Sequence, residues 1–184
     1  MRTATCTLES LSPYSQSRPI LTPRGEKETA KDHEERCWME RAHTDADGRP
    51  YIPPMAFKWS IGAAAKYLSI SIPGEGKSKY TKHFLSGILV PEKIYLPTDM
   101  GHWWGLMNSN GQRGGGKRVW RCFPEWSKWE GVLTVCVLDA KIPQEIFVRV
   151  LKEAGNFIGI GRFRPQNGGF YGRFKVVKVK WEES

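Results

Sequence analysis

Gly155-Asn-Phe-Ile-Gly159-Ile-Gly161-Arg162-Phe163-Arg164-Pro-Gln-Asn-Gly168-Gly169-Phe170-Tyr171-Gly172-Arg173-Phe174 is the stretch on which the reading of this chain turns. It holds six glycines, three arginines and five aromatic residues, set between a run with helical spacing and a run that alternates like a strand. Glycine lets a backbone approach a neighbour closely, and arginine meets phosphate in a planar, two-pronged way. Interleaved, they make a loop suited to lie against a polyanion. The competing account is a twisted hairpin whose glycines serve turn geometry alone.

Working outward, residues 143–154 have helical spacing, and 169–181 read as a strand in which Phe170, Gly172, Phe174 and Val176 alternate with mostly basic partners. Residues 131–138 form another β-rich run. Upstream, 2–9 and 87–96 read as strands and 55–68 as an amphipathic helix, with Met55, Ile61, Ala64, Ala65 and Leu68 on or near one face. Pro53-Pro54 sets the start of that helix, where missing N–H groups do no harm. Residues 26–41 are heavily charged, with Cys37, Trp38 and Met39 the only apolar cluster, and suit a solvated helix. The order is βαββαβ. It predicts an α+β fold with an antiparallel sheet and the ferredoxin-like arrangement shared with RNA-recognition modules. One domain over 1–184 is expected, carrying a long irregular insertion at about 97–128. That insertion has Trp103, Trp104, Trp120 and Trp126, and its Gly114–Gly116 followed by Lys117-Arg118 would suit a mobile phosphate-gripping loop.

The charge is +9 and is unevenly spread. Residues 1–40 hold six Lys/Arg against seven Asp/Glu, whereas 141–180 hold nine against two, so the positive field centres on the segment with the glycine-rich loop. The four cysteines lack CxxC or CxxH spacing, which predicts neither a disulfide nor a zinc site. With no signal-peptide core and no run of membrane-spanning length, a cytoplasmic location is expected and no membrane partner.

Two segments together carry a family resemblance. Gly48-Arg-Pro-Tyr51-Ile52-Pro53-Pro-Met-Ala-Phe57-Lys58-Trp-Ser-Ile-Gly-Ala63-Ala64-Ala65 resembles the entry to the first helix of RAMP proteins. These are the RRM-like proteins that bind guide RNA in CRISPR effector complexes and process its precursors. Gly159-Ile-Gly161-Arg162 with Gly168-Gly169 and Gly172-Arg173-Phe174 resembles their glycine-rich loop, which also lies between the last helix and the last strand. Ser10 to Ser17 is similar to the loop after their first strand. The chain departs from the pattern at Met55, where a small residue is usual, and lacks the arginine of the first helix, Lys58 and Lys66 being the nearby cations. The resemblance implies single-stranded RNA as partner, self-association or other effector-complex subunits beside it, and an antiviral ribonucleoprotein as the setting. A minimal member carried by a phage or mobile element would fit the size.

Single strands are held by a basic groove and by rings on which bases stack. The candidate RNA-binding set is Arg162, Arg164, Arg173 and Lys175 for phosphates, Phe163 and Tyr171 (with Phe170) for stacking, Gly168 and Gly169 for close approach, and Lys58 and Lys66 on the helix. Lys77, Lys79 and Lys82 either extend the track or form a solvated loop. Phosphate and stacking contacts serve single-stranded DNA as well. No catalytic residue is assigned: His33, His43, His83 and His102 are scattered, with His102 the best of them for general acid–base work. The acidic residues near His33 and His43 lack ligand spacing and suit a solvated face, so no metal or cofactor is expected. Gly76-Lys77-Ser78 is similar to the end of a P-loop, but Ser71 stands where the first glycine must be. A non-enzymatic RNA-binding module is the main reading. The alternatives are a metal-independent endoribonuclease and a protein-interaction subunit that joins or mimics such a complex.

Overall fold

The structure is a computed structural model and describes residues 2–109 and 116–183. In chain order its strands are β1 (Arg2–Ser10), β2 (Tyr14–Ser15), β3 (Tyr51–Ile52), β4 (Ile88–Leu89), β5 (Ile94–Tyr95), β6 (Gly101–Asn108), β7 (Arg118–Trp126), β8 (Glu130–Val137) and β9 (Phe174–Glu183). The helices are α1 (Ala30–Cys37), α2 (Pro54–Leu68), α3 (Thr81–Ser86) and α4 (Gln144–Glu153).

The main sheet is antiparallel with order β4-β8-β1-β9. β1 is central, α2 lies in the crossover from β1 to β4, and α4 lies in the crossover from β8 to β9. That is the ferredoxin-like arrangement. Alternation along the strands sends Ala4, Cys6 and Leu8 of β1 and Leu133, Val135 and Val137 of β8 to the helix side. Phe57, Ile61 and Ala64 of α2 and Phe147, Val150 and Leu151 of α4 meet them there, with Phe174 closing the end. Met55 is not part of this face: it is exposed, and Phe57 supplies the buried ring. Pro53 caps α2 and Pro54 opens it, while Lys58 Nζ donates to the carbonyls of Phe84, Leu85 and Ile88 and so closes the end of α3.

Three expectations need revision. The strand over 87–96 is two short strands, of which β4 joins the main sheet and β5 pairs with β3. Pro91 between them has no N–H to continue a ladder. The described part of 97–128 is not irregular: β6 and β7 form an antiparallel hairpin from Gly101↔Glu125 to Asn108↔Arg118, extended by β2 through Tyr14↔Trp126. Of the expected phosphate-gripping loop, residues 114 and 115 lie outside the described residues. The last strand starts at Phe174, and 169–173 belong to the loop before it.

The charged N-terminal run forms α1, capped by Thr29, which accepts from the Asp32 amide while Asp32 accepts from the Thr29 amide. It packs against β7 and is not simply solvated, since Glu34 is fully buried. Among the described residues no helix is long and apolar enough to cross a membrane.

Candidate nucleic-acid interface

The glycine-rich loop is locked by its own backbone. α4 runs into a π-helical turn over Ala154–Ile158, and the chain then folds back on itself. Ile160 N donates to Gly172 O, Tyr171 N to Phe163 O, and Gly169 N to Arg164 O. The loop after β1 holds the other side: Arg162 N donates to Ser15 O, Gly172 N to Pro13 O, and Arg173 N to Ser12 Oγ. Gly172 has φ 72°, and a Cβ there would collide with the Ile160 carbonyl; at Gly169 it would collide with the Phe163 carbonyl. These glycines are therefore required by the chain's contact with itself. Most of the loop's N–H groups are occupied in the same way.

Rings tie the loop to the hairpin. Trp103 stacks on Tyr171 with centroids 5.6 Å apart, and lies 5.1 Å from both Phe123 and Phe163. Tyr171 Oη donates to Glu125 at 2.7 Å. Burial first, and then this bond, raise the phenol's pKa, so it stays protonated. Gln16, buried in the same region, donates to Tyr51 O and accepts from the His43 amide.

Loop, hairpin and α1 enclose a cleft of about 990 Å³. Among the described residues five arginines line it, Arg41, Arg118, Arg121, Arg162 and Arg164, against one carboxylate, Glu34. Glu34 is the hub. It accepts from Arg41 Nη2 at 2.7 and 2.9 Å, from Arg121 and from the Cys122 amide at 3.2 Å. Burial alone would raise its pKa, but the two guanidiniums and the amide outweigh that and hold it below the usual range. Arg162 lies 4.3 Å from the Phe123 ring and 4.4 Å from Phe163. Burial, then the charges of Arg41 and Arg121, push its pKa down to about 10, and its Nε is buried without a partner. With Glu34 shared between Arg41 and Arg121, positive charge is left over beside Arg162. An anion entering the cleft would balance it.

Of the residues singled out from sequence, Arg162, Phe163, Arg164 and Gly168 line this cleft. Gly169 and Tyr171 stand behind it in the packing just described, and Arg173 donates to the Asn156 carbonyl. Lys58 and Lys66 line a second cavity, next to the first. Lys175 is elsewhere, on the far face of the sheet, where it pairs with Glu9 at 2.6 Å. Phe170 is exposed, whereas Phe174 is core. His102, the best histidine by sequence, stacks on Trp38 at 4.8 Å. His33 lines the cleft instead, its Nε2 donating to the Thr22 carbonyl at 2.7 Å. Arg41 and Arg121 did not stand out in sequence. The available signal was Arg121 placed among Trp120, Cys122 and Phe123, a charge inside an apolar strand.

Among solved structures, the chain is similar to one in the cryo-EM structure of the type III-B Cmr-beta bound to cognate target RNA, with a TM-score of 0.57 and 12% identity. That match covers 99% of this chain, which spans 61% of the other's length. The crystal structure of Cmr6 from Pyrococcus furiosus gives a TM-score of 0.51 at 13% identity, covering 96% of this chain and 99% of that one. No family model and no curated protein matches the chain by sequence. At these identities the likeness is one of fold, and it is the fold expected from the RAMP resemblance.

Proposed function

We propose that this chain binds single-stranded, guide-like RNA in the arginine cleft, as a subunit of a CRISPR-type ribonucleoprotein. The observation that carries the reading is the gathering of Arg41, Arg118, Arg121, Arg162 and Arg164 around one cleft, with Glu34 the only carboxylate lining it among the described residues. The fold likeness to one chain in a structure of an assembly bound to target RNA supports it. In this reading Arg118 and Arg162 meet phosphates directly, while Arg41 and Arg121 are oriented by Glu34. The loop's glycines keep Arg162 and Arg164 at the cleft. Other subunits or further copies of the chain would continue the track.

The test is RNA affinity across a salt series for the wild type and for Arg118→Ala with Arg162→Ala. Removing two phosphate contacts is expected to weaken binding about 10- to 100-fold and to lower the salt slope by about 1.4. Unchanged affinity and slope would refute the reading. RNA and single-stranded DNA of one sequence, compared side by side, settle the sugar preference.

A second reading, cleavage of a guide precursor, is favoured by His33, which lines the cleft with the arginines. Its Nε2 donates to a carbonyl, so in the neutral ring Nδ1 is the basic nitrogen. It requires cleavage that His33→Ala abolishes and His102→Ala leaves intact.

A further inference from the structure

α2 has two apolar stripes, and only one of them is buried. Phe57, Ile61, Ala64 and Ala65 enter the core, while Met55, Trp59 and Tyr67 follow one another at four- and eight-residue spacing on the outer side. Trp59 is 51% exposed, Tyr67 62%, and Phe157, from the π-helical turn after α4, 49%. Three rings left half open to water on one surface need an explanation beyond packing. They border a groove of about 790 Å³, whose floor includes Gly62 and Ala63. Tyr67 and Phe157 lie 5.6 Å apart.

The groove is continuous with the arginine cleft. Gln166 lines both, and Arg164, which lines the cleft, lays its guanidinium 4.3 Å from the Trp59 ring at the junction. On the groove side Lys66 is exposed and makes no hydrogen bond or ion pair with another described residue. A strand whose phosphates pass Arg162 and Arg164 would thus run onto rings flanked by positive charge. Trp59 and Tyr67 are separated by about 12 Å along the helix axis, so they meet separate bases and not the two faces of one. An aliphatic groove would suit a protein helix. Flat, exposed rings beside cations are the arrangement on which bases stack.

We propose that Trp59, Tyr67 and Phe157 form the base-stacking half of the RNA site, taking the nucleotides that follow those gripped in the arginine cleft. The proposal rests on the cleft reading, and a single experiment separates the two. Fluorescence anisotropy is measured with a labelled 10-nucleotide oligoadenylate RNA and with the same strand carrying abasic sites. The proteins are wild type, Tyr67→Ala with Phe157→Ala (which leaves the Arg164–Trp59 stack intact), Tyr67→Phe with Phe157→Tyr, and Arg118→Ala with Arg162→Ala.

The wild type is expected to lose at least about tenfold in affinity when the bases are removed. The alanine pair, which keeps Trp59, loses most of that factor on the intact strand, becomes correspondingly less sensitive to abasic sites and keeps the wild-type salt slope. The ring-for-ring pair binds like the wild type, which ties the loss to the rings, and an unchanged thermal melt of the alanine pair excludes a folding defect as the cause. If the alanine pair binds the intact strand as well as the wild type while the arginine pair is weakened, the stacking proposal is overturned and the cleft reading stands. The groove then belongs to a protein partner. If neither pair changes binding, the cleft reading fails and this one falls with it.

Discussion

On the open face of the main sheet, Thr3, Thr5 and Thr7 stand opposite Cys136, Thr134 and Val132 on one side and Glu182, Lys180 and Lys178 on the other. Its lysines are largely spoken for: Lys175 pairs with Glu9, and Lys180 with Glu182. No ring stands in these rows. The cleft formed by loop, hairpin and α1 has the opposite character, with five arginines to one carboxylate among its described lining residues and aromatic rings behind them. In RNA-recognition modules the sheet face carries the aromatics that stack on bases. Here the strand order is shared, but the rings and the unbalanced charge are gathered in the cleft and not in these rows. A common topology therefore fixes where the elements lie without fixing which face binds, and face-specific substitutions can separate the two.

The largest effect is expected at Glu34. Replacing it with alanine leaves Arg41 and Arg121 without their shared partner in a buried setting, and the expected loss is about 3–5 kcal/mol of stability, read from urea unfolding. RNA affinity should fall with it, because the cleft arginines lose their orientation. Glu34 is held below the usual carboxylate range, so its contribution is present above the pH near 4.3 at which a free glutamate ionises and is lost as the pH falls through the lower, folded value. Glu34→Gln should accordingly flatten the acid limb of the stability curve. An unchanged acid limb would mean that Glu34 does not organise the cleft.

Next in size is Gly172→Ala, which places a side chain at φ 72° and against the Ile160 carbonyl. Left-handed backbone strain and the forced displacement together are expected to cost about 2–3 kcal/mol. Because Arg162 sits on the same folded-back loop, RNA binding should weaken even where the variant is fully folded. If stability drops and affinity does not, the loop is scaffold for the domain and not for the cleft. Smaller again is Tyr171→Phe. It keeps the ring against Trp103 and loses only the bond to Glu125, an expected cost of about 1–1.5 kcal/mol by thermal melt.

The sequence announces the elements that have one wet face and one dry face. β1, α2, β8 and α4 could be placed within a residue or two because their periods of 2.0 and 3.6 survive in the apolar pattern. The hairpin could not. Cys122, Phe123 and Pro124 are buried in succession, since α1 covers one side of β7 and the loop packs on the other, and alternation is erased where both faces are covered. The site divides in the same way. Arg162, Arg164 and Gly168 fall in one unusual stretch, so composition alone marks them. Arg41 and Arg121 reach the cleft only through Glu34, which sits in a run of charges that reads as solvated. Burial of one carboxylate among exposed ones leaves no trace in local sequence.

The smallest expected effect is also the sharpest test of the two faces. Lys178→Ala with Lys180→Ala removes two positive charges, as many as Arg118→Ala with Arg162→Ala, so the two pairs change net charge equally. If binding answered only to the overall field of a +9 chain, both pairs would lower RNA affinity and salt slope alike. If phosphates sit in the cleft, the sheet pair should change affinity by less than about twofold and leave the slope near its wild-type value. Lys180 already faces Glu182 at 2.7 Å, so its removal frees a carboxylate, and the measurement should be repeated with Lys178→Ala alone to exclude that new charge. A sheet-face loss equal to the cleft's would erase the contrast and return the binding face to the position it holds in RNA-recognition modules.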